Sequence, residues 1–122
     1  MIINKSRNRV LAKNSRILDS FLGKARGLMF HRRISKEGDG YGGYGLVFPF
    51  DSEARRSIHM FFVFFPIDVL FLDRKRRVVE VKERLKPFSI CLPKKKSKYI
   101  IELPAGVVSS TALMIGDIIN FK

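Results

Sequence analysis

The stretch Ile67-Asp68-Val69-Leu70-Phe71-Leu72-Asp73-Arg74-Lys75-Arg76-Arg77-Val78-Val79-Glu80-Val81-Lys82-Glu83-Arg84-Leu85 decides how this chain is read. Its first seven residues are an apolar, β-branched and aromatic run of strand length, interrupted by Asp68 and closed by Asp73. From Arg77 to Leu85 apolar and charged residues alternate, with Val79, Val81 and Leu85 assigned to one face and Glu80, Lys82 and Arg84 to the other, as in a strand half in water. The short separation makes the two runs a hairpin with the basic residues Arg74 to Arg77 at its tip.

Strand signals continue on both sides of this hairpin. Leu46, Phe48 and Phe50 alternate along one segment. Ser57 to Phe65 is a second apolar run, read with Ile67–Asp73 as a central strand. Tyr99, Ile101 and Leu103 alternate with Lys98, Ile100 and Glu102, and Asp117 to Phe121 gives a last strand after a turn or helix at Ser109–Met114. Near the start, Ile2-Ile3 and Val10-Leu11-Ala12 flank a polar turn. One segment has a helical period: Leu18, Phe21, Leu22 and Ala25 share a face, Asp19 or Ser20 can cap its start, and Gly27 can stop it. Several short strands without strand-helix-strand alternation predict a mainly β fold, a β sandwich or partly open barrel with one short helix near the N-terminus. No repeat or linker divides residues 1–122, which are read as one domain.

Twenty-four Lys and Arg against eleven Asp and Glu leave a net charge of +13, which attracts polyanions such as nucleic acid or anionic lipid. The cations are spread along the chain, but Arg74, Lys75, Arg76 and Arg77, and then Lys94, Lys95, Lys96 and Lys98, form two tight runs. They are either solvated loop tips that keep sheet edges soluble or the binding surface for a polyanion. Cys91 is the single cysteine, so neither an internal disulfide nor a CxxC site can be built. With no secretory signal pattern at Met1-Ile2-Ile3-Asn4-Lys5, the expected location is the cytoplasm. The run from Met60 to Leu72 is too short to span a bilayer as a helix and is broken by Pro66 and Asp68.

Polar residues embedded in apolar strands are the candidates for chemistry. His59 and His31 are the only histidines, and neither has ligand spacing to another His or Cys, so no metal is expected. Asp68 needs a backbone donor, an arginine such as Arg26, or water at a cleft. Glu102 reads most simply as a strand residue facing water, but His59, Asp68 and Glu102 converging on one pocket would supply general acid/base groups. Asp117 after Gly116 reads as a turn aspartate bonding the backbone two residues on. Phe61 to Phe65 are core, or else an aromatic strip for stacking bases. Gly38-x-Gly40-x-x-Gly43 imitates a dinucleotide fingerprint, but a strand follows it where a helix is required, so no cofactor is expected.

Three stretches align in order with a known family. Phe21 with Arg26-Gly27-Leu28-Met29 resembles its opening. Ser57-Ile58-His59-Met60-Phe61-Phe62 and Pro66-Ile67-Asp68-Val69-Leu70-Phe71-Leu72-Asp73 resemble its centre, and Glu102-Leu103-Pro104-Ala105-Gly106 with Gly116-Asp117 resembles its close. Together they resemble the family known as domain of unknown function 192. The resemblance implies a compact β sandwich, motif positions at Arg26, Gly27, Met29, Met60, Asp68, Gly106 and Asp117, and no established activity, ligand or partner. Bacterial relatives carry an aromatic before the central methionine and Lys-Asn-Thr after it, where this chain has His59 and Phe61-Phe62-Val63-Phe64.

Two functions follow as expectations. The first is a non-catalytic binding module whose basic loops hold nucleic acid or another polyanion. The second is a small hydrolase or lyase using His59, Asp68 and Glu102.

Overall fold

Asp73 builds the hairpin expected at the basic run. Its Oδ1 accepts the backbone N–H groups of Lys75 and Arg77, both at 2.9 Å, and its Oδ2 accepts Arg77 Nε at 3.0 Å. Arg76 takes the left-handed conformation at φ 63° that closes the turn. The computed structural model describes residues 1–18, 44–59, 66–86 and 89–121, with the side chains of Ile58 and His59 excepted.

Strands β1 (Ile2–Asn4) and β2 (Arg9–Ala12) form the first hairpin, and β3 (Asn14–Ile17) follows after Lys13. Then come β4 (Tyr44–Ala54), β5 (Ile58–His59), β6 (Ile67–Leu72), β7 (Val78–Leu85), β8 (Ile90–Cys91) and β9 (Ser97–Pro104). Helix α1 (Val107–Ser110) and β10 (Ile119–Phe121) complete the order. Five strands form one sheet in the order β3-β4-β9-β6-β7, three form another in the order β10-β1-β2, and β5 pairs with β8. Only the β3–β4 pair is parallel among these. The fold is mainly β.

The two larger sheets share one core. Ile2, Leu11, Ala12, Ile119 and Phe121 from the three-stranded sheet meet Val47, Leu70, Leu72, Ile101 and Leu103 from the five-stranded one. An isolated bridge between Arg77 and Ile118 stitches the sheets along one edge, and on the other side the chain crosses from β2 to β3 through Lys13 alone. Gly45 marks the closest approach. A Cβ there would lie 2.5 Å from Ile2 Cδ1 and 3.1 Å from Leu103 Cδ2, so any side chain at this position must push Ile2 aside and crowd Leu103. The opposite face of the five-stranded sheet carries a second apolar cluster of Leu46, Phe48, Ile67, Val69, Phe71 and Ile100, joined by Cys91 from β8.

Two sequence expectations change here. The simple alternation along β7 fails because the β6–β7 ladder slips twice: Leu72 opposes Val78 but Phe71 opposes Glu80, and Val69 opposes Lys82 but Ile67 opposes Leu85. Each extra residue turns the strand over, so Val81 packs with Val78 in the shared core while Val79 and Leu85 pack on the other face. The helix among the described residues is α1, close to the C-terminus. Apart from Leu18, the helix expected before Gly27 lies outside the described residues, as do Arg26, Met29, His31, the glycine stretch 38–43, Met60 and Phe61 to Phe65. Of the run read as a central strand from Ser57, the described part pairs with β8.

Candidate polyanion-binding site

Antiparallel pairing brings the two basic runs to one end of the five-stranded sheet. Leu72 near the end of β6 is the partner of Tyr99 near the start of β9, so the turn that follows β6 and the loop that precedes β9 emerge together. Glu80 on β7 fixes that loop: its Oε1 accepts the backbone N–H groups of Lys94 and Lys95, each at 2.8 Å, while Lys82 Nζ lies 3.5 Å from Oε2. Neither contact could be read locally, because they join residues 14 and 15 positions apart.

The eight cations do not serve equally. Arg74 is held by Glu53, through its N–H at 2.9 Å and its Nη2 at 3.5 Å, and Arg77 is held by Asp73. Arg76 lies 4.1 Å over the Phe121 ring and reaches the Phe121 carbonyl, while Lys98 Nζ sits 5.5 Å from the Tyr99 ring. Lys75, Lys94, Lys95 and Lys96 are exposed, and their ammonium groups have no ion-pair partner among the described residues. The arginines brace the loops, and the lysines are offered to solvent. An ammonium on a flexible stem, fixed at its backbone, suits phosphate contact without sequence readout.

The carboxylates are placed otherwise. Asp68 is fully buried, and it is met by backbone donors: Arg84 N–H at 2.9 Å on Oδ1, Gly106 N–H at 3.1 Å and Val108 N–H at 2.9 Å on Oδ2. Two of its donors have left-handed backbone, Arg84 at the second β7 slip with φ 52° and Gly106 at the head of α1 with φ 97°, where glycine carries no steric cost. Asp68 is therefore a clamp joining β6, β7 and α1. Glu102, expected to face water, is buried between its strand partners Leu46 and Val69, because β9 is covered on both faces. Burial lifts its carboxyl to about 8. The register sets Asp68 opposite Leu103 and Val69 opposite Glu102, which puts the two carboxyls on opposite faces of the sheet. The structure does not bring this pair together. His59 is described by its backbone pairing with Ile90 alone.

Asp117 also differs from its expected turn. Its Oδ2 accepts the Met114 N–H three residues back at 2.9 Å, Asn4 Nδ2 at 2.8 Å and Arg7 Nε at 2.8 Å. Burial opposes its charge, but Asn4, the Met114 N–H and Arg7 together outweigh it and hold the carboxyl below its ordinary value. The sequence carries no local signal for Asn4 and Arg7, because their partner is more than a hundred residues away. Among the described residues no three His, Cys, Asp or Glu side chains gather where they could hold a metal, and no helix is long and apolar enough to cross a membrane.

Comparison with known proteins agrees with the fold. A UPF0127 protein of Thermococcus sibiricus is 41% identical over 124 residues, spanning all of this chain and 75% of the relative. Another, from Pyrococcus horikoshii, is 42% identical over 99% of this chain and 98% of its own length. The crystal structure of a protein of unknown function from Novosphingobium aromaticivorans superposes with a TM-score of 0.75 at 19% identity, over 88% of this chain and 74% of that one. A candidate transcription regulator of Sinorhizobium meliloti superposes with a TM-score of 0.76 at 22% identity, over 87% and 79%. At such identities these two likenesses speak for the fold alone. The model of the family DUF192, described as an uncharacterized ACR, matches residues 2–121, and this chain belongs to that family.

Proposed function

We propose that this protein is a non-catalytic binding module, one domain working in the cytoplasm, that holds a polyanion such as nucleic acid through the basic end of its larger sheet. Its two main sheets are read as a small sandwich stitched along one edge, a rigid platform for loops. The observation that carries the reading is the meeting of Arg74–Arg77 with Lys94–Lys96 at one sheet end, the second loop pinned by Glu80. Lys75, Lys94, Lys95 and Lys96 offer four cations for phosphates at a surface that already has its shape in the free protein.

The test is a salt titration of binding to single-stranded and duplex nucleic acid. Four neutralised phosphates give a log-log slope of about −3 to −4, and Lys94→Ala, Lys95→Ala and Lys96→Ala together should flatten it by about 2 to 3. Absence of binding at low salt, or a triple variant with the parental slope, removes the proposal.

A further inference from the structure

Three large apolar side chains stand in water within five residues of one another: Met114 is 57% exposed, Ile115 61% and Ile118 43%. Isolated exposed apolar residues are ordinary on protein surfaces, but these are grouped on a turn that is held firmly in place. Asp117 N–H donates to the Met114 carbonyl at 3.1 Å, and Gly116, at φ 95°, donates its N–H to Val78 at 2.8 Å. Ile118 N–H donates to Ser6 Oγ at 2.9 Å, and Lys5 N–H donates to the Ile118 carbonyl at 2.8 Å. The backbone of this turn is tied to the start of β7 and to the β1–β2 turn, so the side chains cannot fold inward without breaking those bonds.

Cations surround the apolar group. The β1–β2 turn brings Lys5, Arg7 and Arg9 to one side, all exposed. On the other side Arg77 is the bridge partner of Ile118. Arg7 is bound to Asp117, with its Nη2 2.8 Å from Met114 Sδ, and Arg77 is bound to Asp73. Those two carboxylates are thereby neutralised, and Lys5 and Arg9 remain exposed with no ion-pair partner among the described residues.

We infer that this turn docks on an anionic lipid bilayer, with Met114, Ile115 and Ile118 entering the interfacial layer and Lys5 and Arg9 meeting headgroup phosphates. Exposed aliphatic chains and cations on neighbouring turns fit the two layers of such a surface together. Nucleic acid would satisfy the cations but leave the three aliphatic chains in water, since the turn has no aromatic ring on which bases stack. The inference uses none of Lys75, Lys94, Lys95 and Lys96, and it goes beyond the proposed polyanion site without resting on it.

The experiment is co-sedimentation of the full chain with vesicles of phosphatidylcholine and of phosphatidylcholine mixed with phosphatidylglycerol. Binding is expected to the mixed vesicles and not to the neutral ones. The double variant Met114→Ser, Ile115→Ser keeps every charge and should lower partitioning about tenfold, whereas Lys5→Ser or Arg9→Ser should each lower it roughly fivefold. The Lys94→Ala, Lys95→Ala, Lys96→Ala variant should stay within about twofold of the parent, since those lysines are not among the groups inferred to meet the bilayer. Both serine positions are exposed, and an unchanged circular dichroism spectrum verifies that the variant is folded. No binding to mixed vesicles, parental binding by the double serine variant, or loss of binding in the Lys94–Lys96 variant would each overturn the inference. Loss of nucleic-acid binding with vesicle binding intact would concern the other site alone.

Discussion

Asp68 and Glu102 lie on neighbouring strands of one sheet, one register step apart, and project from its opposite faces. Asp68 finds three backbone donors on its side, and Glu102 lies against Leu46 and Val69 on the other. Two buried carboxyls in the same sheet therefore have opposite consequences: one clamps the fold and the other strains it.

Replacing Asp68 should damage the fold. Asp68→Asn keeps the size but turns an amide N–H₂ toward backbone N–H groups, and it should cost about 1.5–3 kcal/mol, the worth of hydrogen bonds to a charged group. Asp68→Ala leaves three buried donors unmet and should cost about 3 kcal/mol or more. Urea denaturation measures both; a parental midpoint for Asp68→Ala contradicts the clamp.

Glu102 should make stability fall as pH rises. Below the unfolded value of about 4.3 the carboxyl is protonated in both states. Between there and about 8 the unfolded chain releases its proton while the folded chain keeps it, so each step upward favours unfolding. At about 1.4 kcal/mol per pH unit the full window is worth about 4–5 kcal/mol, and above it the loss is constant. Glu102→Gln should remove this part of the pH dependence, so the stability difference between variant and parent should grow in the variant's favour from pH 5 to pH 8. A constant difference would contradict the burial of an ionisable carboxyl here.

Asp117 acts with the reverse sign. Its folded value lies below the unfolded one, so its contribution is present above the unfolded value and is lost as pH falls through the folded one. Asp117→Ala should cost about 3 kcal/mol at neutral pH, because Asn4 and the Met114 N–H lose their partner along with Arg7. It should also flatten the acid limb of the stability curve. An acid limb matching that of the parent would exclude this role.

Gly45→Ala tests how closely the sheets meet. The added methyl must displace Ile2 Cδ1 and crowd Leu103 and Ala12, an overpacking expected to cost about 1–3 kcal/mol. Ile2→Val in the same chain frees that Cδ1 position and should recover part of the loss. Thermal melts of the single and double variants compare the two, and equal melting temperatures for parent and Gly45→Ala would argue against the contact.

Glu80 should govern the order of the basic loop. In Glu80→Ala the amides of Lys94 and Lys95 lose their acceptor, and their hydrogen exchange should quicken by at least tenfold while the β6 amides keep their protection. Unchanged exchange at both lysines would show that the loop holds its shape by other means.

Much of the architecture was written in local patterns. Period-two alternation and apolar runs of strand length marked β1, β2, β4, β6, β9 and β10, and the short basic stretch between two strand runs marked the hairpin tip, because strand formation and turn closure depend on residues a few positions apart. The family resemblance was legible for the same reason, as short motifs in fixed order. Tertiary structure alone decided the rest. The slips in β7 that move Val81 away from Val79 and Leu85 depend on pairing with β6. Glu102 is buried because β9 became an inner strand covered on both faces, and Asp68 is satisfied because Arg84, Gly106 and Val108 arrive from 16 to 40 residues away. The basic runs share one end because β6 and β9 run antiparallel. Burial and charge pairing depend on neighbours in space, and a strand carries no local record of which neighbours it will have.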